Sequence, residues 1–228
     1  MITTTPLSFF DAVLFDLDGV LTETAALHAR CWKTTFDEIL IEPFDVERDY
    51  LAHVDGKPRE DGVRDFMRSR GIELEDEQIR VIADRKQALV EDALAHGPVE
   101  AFPGSVRWVE KLRDAGVRTA VVSSSANADD VLRAAGIRDL FETVVSGRDI
   151  AELGLKGKPA PDGFLEAARR LGTCPKRAIV VEDALSGVSA GRAGGFRAVI
   201  GVARGASHDE LLSAGADLVV DDLAELAA

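Results

Sequence analysis

Cysteine is scarce in this chain: Cys31 and Cys174 are the only two among 228 residues. Two thiols in a chain this long argue against a disulfide-stapled secreted fold and for a reducing compartment, and sulfur ligation of a metal would need more ligands. Histidine is sparse too, and His28, His53, His96 and His208 show no zinc-ligand spacing. Positive charge is in deficit, with 27 Lys plus Arg against 40 Asp plus Glu and a formal charge of −13. A surface of that sign repels nucleic-acid phosphates and anionic lipid, so neither is expected as a partner, whereas a small anion needs only a local positive pocket. No apolar run approaches the roughly 18 residues of a membrane span. Met1 to Phe10 has no basic start followed by an apolar stretch, so no signal peptide is expected. The expectation is a soluble cytoplasmic protein. It is taken to act as a monomer, although the sequence does not reveal the oligomeric state.

What is present is an ordinary globular mixture, 46% hydrophobic and 29% charged. The length suffices for one large domain, or for a core with a smaller domain inserted. Ala12–Asp16 is a short apolar run ending in a carboxylate and reads as a buried strand; Val117–Val122, Ala178–Val181, Ala198–Val202 and Leu218–Val220 are similar. Helical stretches lie between them at Ser105–Ala115, Ala128–Ala135, Asp162–Leu171 and Ala184–Ala193. This alternation predicts an α/β fold, a doubly wound, Rossmann-like parallel sheet with helices on both faces, its reactive groups beyond the carboxyl ends of the strands. From about Thr24 to His96 no strand pattern occurs. Ala25–Ile39, Arg59–Arg70 and Asp76–Ala95 read as helices, so residues 24–96 are expected to be a helical domain inserted after the first strand, with 1–23 and 97–228 forming the core. Gly191–Gly195 reads as helix-end packing.

Four strand ends carry polar signatures. Asp16-Leu17-Asp18-Gly19 places two carboxylates before a glycine, a hard oxygen site suited to Mg²⁺ and equally a plain turn; an EF-hand loop fails because Val20 and Leu27 fall where ligands are needed. Ser123-Ser124-Ser125-Ala126-Asn127 offers hydroxyls and backbone N–H groups to phosphate oxygens, or simply caps a helix. Gly157-Lys158-Pro159-Ala160-Pro161 fixes a cation beside prolines; it is no Walker A loop, since Glu152 and Pro159 stand where glycine and Ser/Thr are required. Glu182-Asp183 sets two acids between strand and helix, where Asp183 could act as an N-cap.

In this order, at successive strand ends, the four motifs resemble the haloacid dehalogenase (HAD) superfamily, and the helical insertion resembles its cap domain. Within that superfamily the chain looks most like the β-phosphoglucomutase group, because Thr22–Lys33 is similar to that group's hinge and first cap helix. The second aspartate, Asp18, separates it from the family's dehalogenases, which lack one, and from its ion pumps, which carry threonine there. The resemblance implies a Mg²⁺-dependent enzyme acting on a small sugar phosphate. Asp16 would be the nucleophile, forming an aspartyl phosphate. Mg²⁺ would be held by Asp16, by Asp18 through its backbone carbonyl, and by Asp183, with Glu182 a ligand or a support. Ser123 and Lys158 would hold phosphoryl oxygens. Asp18 would be the general acid and base, and to act as an acid near neutrality it must be shifted up or protonated on cap closure. Substrate contacts would come from His28, Gly56, Lys57, Arg59 and Lys86 in the cap and from Ser124, Ser125, Ala126 and Asn127 in the core. Four positions depart from the group's pattern. Ala126 stands where a lysine is frequent, Asp55 where a lysine can occur, and Pro58 and Gly62 where serines are expected. The implied activity is interconversion of β-glucose 1-phosphate and glucose 6-phosphate. The alternatives are a sugar-phosphate phosphatase and, more remotely, a non-catalytic sugar-phosphate sensor.

Overall fold

Short runs of β-branched and aliphatic residues, long enough only for strands, account for the centre of the molecule. In the computed structural model, which describes residues 10–227, these runs pair as β1 (Ala12–Phe15), β2 (Arg118–Val122), β3 (Thr143–Val145), β4 (Ala178–Glu182), β5 (Ala198–Val202) and β6 (Leu218–Val220). All pairs are parallel, and the order across the sheet is β3-β2-β1-β4-β5-β6. The central strands are apolar on both sides because both sides are covered. Val13 and Phe15 face one cluster, which holds Trp108, Val109, Leu112 and Leu132; Ala12 and Leu14 face the other, built on Phe164, Ala167, Val188 and Leu211.

The helices that cover the sheet follow in chain order. After β1 come α1 (Ala25–Asp37), α2 (Arg59–Ser69) and α3 (Asp76–His96), with a π-helical segment, Val46–Val54, between the first two. Then follow α4 (Pro103–Asp114), α5 (Ala128–Ala134), α6 (Gly147–Glu152), α7 (Asp162–Arg170), α8 (Leu185–Ala193) and α9 (His208–Ala214). Three elements differ from the sequence reading. β3 is a sixth strand at the sheet edge, whose apolar run, Val144-Val145, is too short for a pattern to show. α6 and α9 were not anticipated, although each opens with a serine that caps it and an acid three residues on, Ser146/Asp149 and Ser207/Glu210. Gly191 is a packing residue, as expected: a Cβ there would stand 3.0 Å from Val199 and 3.1 Å from Val180.

The insertion between β1 and α4 has its own core. Trp32, Phe36, Phe44, Val63, Phe66, Met67 and Ile79 form it, with the Phe36 and Phe66 rings 4.3 Å apart. The chain enters and leaves it side by side: Glu23 N–H donates to the Glu100 carbonyl at 2.9 Å, and Phe102 N–H to the Leu21 carbonyl at 2.9 Å. Two extended segments therefore carry the whole helical unit at the carboxyl end of β1.

Candidate active site

Asp16 directly follows β1 and is fixed by its N–H, which donates to the Val181 carbonyl at 2.9 Å. Its buried carboxylate is ion-paired with Lys158, which also lies 2.6 Å from Glu182 Oε1 and donates to the Val122 carbonyl at 3.2 Å. Glu182 is fully buried, and its Oε2 accepts the N–H groups of Asp183 and Ala184, each at 3.0 Å. Gly187 makes room for it: a Cβ there would stand 1.7 Å from Glu182 Oε1. Glu182 thus anchors the lysine and the turn, with both oxygens engaged. Burial lowers the Lys158 pKa, but the carboxylates of Asp16 and Glu182 outweigh it and hold the ammonium charged. Burial pushes the Asp16 carboxyl well up against the pull of Lys158, and it raises Asp183 likewise, reinforced by the charges of Asp55, Glu182 and Asp16.

Asp16, Glu182 and Asp183 bring one carboxylate oxygen each within 4.8 Å of one another. These are hard, buried donors whose mutual repulsion a divalent cation would relieve, so the donor set fits Mg²⁺. Gly19, at φ +91°, lets the backbone pass the site, for a Cβ there would fall 2.0 Å from Asp183 Oδ2. Asp183 is no helix cap, since α8 has Ala184 at its N-cap. The three serines do not cap α5 either. Ser123 Oγ accepts the N–H of Ser125 at 3.0 Å, Ser125 Oγ that of Asn127 at 3.2 Å, and Asn127 stands at the N-cap without a side-chain capping bond.

The Asp18 carboxylate is not part of this acidic cluster and is bonded elsewhere. Thr24 Oγ1 donates to Oδ1 at 2.5 Å, and Ser123 Oγ donates to Oδ2 at 3.2 Å. His28 Nε2 lies 3.2 Å from Oδ1, and Lys86 Nζ is 2.7 Å from His28 Nδ1. An ammonium only donates, so Nδ1 is the acceptor and Nε2 carries the proton toward Asp18. Here the structure corrects the sequence reading. Burial does push Asp18 up, but His28, Thr24 and Lys86 outweigh it and hold the carboxyl well below the ordinary range. Asp18 is an ionised proton acceptor in this state. Lys86 is buried between Asp18 and Arg59, and burial brings its pKa down to about 8.

A cavity of about 60 Å³ separates insertion from core. Asp16, Asp18, Asp183, Ser124, Ser125 and Ala126 line it from the core, and His28, Gly56, Lys57, Arg59 and Lys86 from the insertion. Ser123, Asn127, Lys158 and Glu182 lie buried behind this wall. The insertion touches the core through backbone carbonyls: Ser124 Oγ donates to Gly56 O at 2.7 Å and Ser186 Oγ to Asp55 O at 2.9 Å. Lys57 turns its ammonium onto Asp65 at 2.5 Å. Two of the sequence departures serve packing. A Cβ on Gly157 would meet Pro58 at 1.9 Å, and one on Gly62 would meet Trp32 and Val54 at 3.3 Å. Asp55 keeps its carboxyl in the cavity wall, bonded to Tyr50; burial and then Glu182 push it up to about 7. Sequence reasoning missed Tyr50, Thr24, Ser186 and Gln87. Of these, Gln87 is the most connected, receiving Arg59 at 3.0 Å and donating to Asn127 at 2.9 Å.

Comparison with known proteins identifies the family. Residues 10–195 match the family model described as haloacid dehalogenase-like hydrolase. A β-phosphoglucomutase of Mycobacterium bovis is 46% identical, over 94% of this chain and 90% of its own length. A hydrolase from Pseudomonas syringae superposes with a TM-score of 0.84 at 26% identity, covering 95% of both chains. The protein CbbY from Rhodobacter sphaeroides, solved in complex with phosphate, superposes with a TM-score of 0.77 at 29% identity over 95% of this chain and 96% of its own. The chain is an enzyme of the haloacid dehalogenase superfamily, a phosphomutase or phosphatase, and belongs to its β-phosphoglucomutase-like group.

Proposed function

We propose that this enzyme is a Mg²⁺-dependent β-phosphoglucomutase that interconverts β-glucose 1-phosphate and glucose 6-phosphate through a bisphosphate. The observation that carries the reading is a single cavity joining Asp16 and the ionised Asp18 to two cap cations, Arg59 and Lys86. One end suits a reacting phosphoryl group and the other a phosphate that is only held. The helical insertion, residues 24–96, acts as the cap. A cavity of about 60 Å³ takes a few waters and no hexose phosphate, so the cap opens to admit substrate.

Asp16 and Asp183, with the Asp18 carbonyl, would hold Mg²⁺, which would offset the repulsion between carboxylate and phosphate dianion. At 4 Å and an effective dielectric of 20 that repulsion is roughly 4 kcal/mol per unit-charge pair. In one half-reaction Asp18 takes the proton from the sugar hydroxyl as its oxygen bonds to phosphorus and the bond to Asp16 breaks. In the other, Asp16 bonds to the second phosphoryl group and the departing sugar oxygen recovers the proton from Asp18. Lys158 and Ser123 hold phosphoryl oxygens while charge spreads over them. Arg59, Ser125 and Asn127 grip the phosphate that is not reacting, Arg59 by its planar fork. His28 orients Asp18, and Gly56, Lys57, Ser124 and Ala126 shape the wall.

The deciding experiment mixes the protein, Mg²⁺, β-glucose 1-phosphate and a trace of glucose 1,6-bisphosphate, and follows glucose 6-phosphate and free phosphate together. Glucose 6-phosphate is expected to form far faster than free phosphate. Free phosphate with little glucose 6-phosphate would mean that water replaces the sugar hydroxyl and the enzyme is a phosphatase.

A further inference from the structure

Asn127 is almost fully buried, and its side-chain nitrogen Nδ2 has no partner among the described residues. Its other end is occupied, because Oδ1 accepts from Gln87 Nε2 at 2.9 Å. Gln87 itself cannot be turned round. Its Oε1 accepts from Arg59 Nη1 at 3.0 Å, and its Nε2 also donates to Glu91 Oε1 at 2.8 Å. A flipped carboxamide would point N–H groups at the guanidinium and an oxygen at a carboxylate, two repulsions in place of two bonds. The orientation of Gln87 therefore dictates that of Asn127, and the dictated orientation leaves a donor free on the residue that follows Ser125 and Ala126 of the cavity wall. A buried amide N–H without an acceptor is costly in the protein alone and well matched to an anionic oxygen.

We propose that Gln87 is a positioning residue: crossing from cap to core, it locks the Asn127 carboxamide with its nitrogen toward the phosphate that is not reacting, and holds Arg59 toward the same group. The lock exists only when the cap is closed, since Gln87 sits on α3 of the cap and Asn127 at the start of α5 of the core. Distal-phosphate recognition is thereby tied to closure by a neutral side chain. This inference rests on the sugar-phosphate reading above.

The test is a double-mutant cycle between Gln87 and Asn127, read as the Kd for glucose 6-phosphate by calorimetry in Mg²⁺ buffer. Gln87→Glu removes the donor that Asn127 Oδ1 accepts from, so Asn127 turns its nitrogen to the new carboxylate and presents an oxygen to phosphate. We expect Gln87→Glu to weaken binding about 30-fold and Asn127→Ala about 10-fold, each from the parent. In the Gln87→Glu background, Asn127→Ala should cost nothing or restore affinity, because it removes a misdirected acceptor. A merely structural role for Gln87 gives no such reversal, and losses multiplying to about 300-fold would overturn the proposal. Should Gln87→Glu fail to fold, Gln87→Met releases the lock without adding charge. Asn127→Ala must then cost less than in the parent, and an equal cost overturns the proposal. A parent that binds no glucose 6-phosphate overturns the sugar-phosphate reading and this inference with it, whereas binding by the parent with multiplying losses overturns the inference alone.

Discussion

At the scale of single residues the site separates its two aspartates by environment. Asp16 is pushed up by burial among acids, and Asp18 is held down, despite burial, by the Lys86–His28 relay. In the proposed mechanism the ionised Asp18 would accept the sugar proton, and Asp16 would attack once a bound cation offsets the burial that raises it. Asp16→Asn should therefore abolish phosphoryl transfer, with a loss of at least about 10⁴-fold in kcat and an unchanged circular dichroism spectrum. Measurable turnover by that variant would remove Asp16 as the nucleophile. The relay also predicts an alkaline limit. Burial brings Lys86 to about 8, so above that pH its positive charge is lost, the bond to His28 Nδ1 is no longer charge-assisted, and Asp18 loses a charge that holds it ionised. The pH profile of kcat/KM should fall above about pH 8, and Lys86→Arg, charged up to about pH 12, should move that limb upward even if it lowers the maximum. An identical alkaline limb in both proteins would assign it to another group.

At the scale of elements, cap and core meet through glycine and backbone as much as through charged side chains. Gly56 has φ +69°, and a Cβ there would stand 2.4 Å from Ser186 Oγ and 2.9 Å from Ala184. Gly71 has nearly the same φ, +71°, with nothing within 4 Å of an added Cβ. Alanine at either position carries a left-handed backbone cost of about 1–2 kcal/mol, but only at Gly56 does it also pry cap from core. Gly56→Ala should lower kcat/KM about 10- to 100-fold, while Gly71→Ala lowers the melting temperature and leaves kcat/KM alone. Steady-state kinetics beside thermal melts of both variants distinguishes them, and equal kinetic losses would mean that the 55–57 loop does not seat the closed cap. The same contrast explains what was legible in the sequence. Five strands were readable because each is a local apolar run, and the motifs after β1, β2 and β4 because each follows its run directly; Lys158 lies instead in the loop between α6 and α7 and was readable from its neighbouring prolines. β3 was hidden because only Val144 and Val145 of it are apolar, and the π-helical segment Val46–Val54 by its polar composition. Gln87 and the direction of the Asp18 shift were beyond reach for another reason. Gln87 meets Arg59 across 28 residues and Asn127 across 40, and Lys86 meets His28 across 58, so their partners are set by the packing of cap on core and by no local pattern.

At the scale of the whole molecule, two populations of carboxylates pull stability in opposite directions with pH. Glu166 and Asp49 pair with arginines, and their pKa values fall to about 2, led by hydrogen bonds from Arg169 and Arg48. Their contribution is present above the unfolded values and is lost as pH falls toward 2. Asp16, Asp55 and Asp183 behave in the reverse sense. With raised folded values they bind more protons folded than unfolded, so without a metal they favour the fold at low pH and oppose it as pH rises, for Asp55 over the interval from about 4 to about 7. The metal-free protein should therefore melt highest in mildly acidic solution and lose several degrees by pH 8, where its net charge of −13 adds self-repulsion. Mg²⁺ held as proposed would act on Asp16 and Asp183 of the second population, because a cation competes with protons for the same oxygens. Thermal melts with a chelator and with excess Mg²⁺, at pH 5 and pH 8, should show the larger Mg²⁺ stabilisation at pH 8. Asp55→Asn should narrow the gap between the two metal-free melts, since it removes one of the charges that the fold resists at high pH. If the Mg²⁺ shift were the same at both pH values, the acidic cluster would have to be ionised throughout, and the crowding of Asp16, Asp55 and Asp183 would not be what a metal relieves.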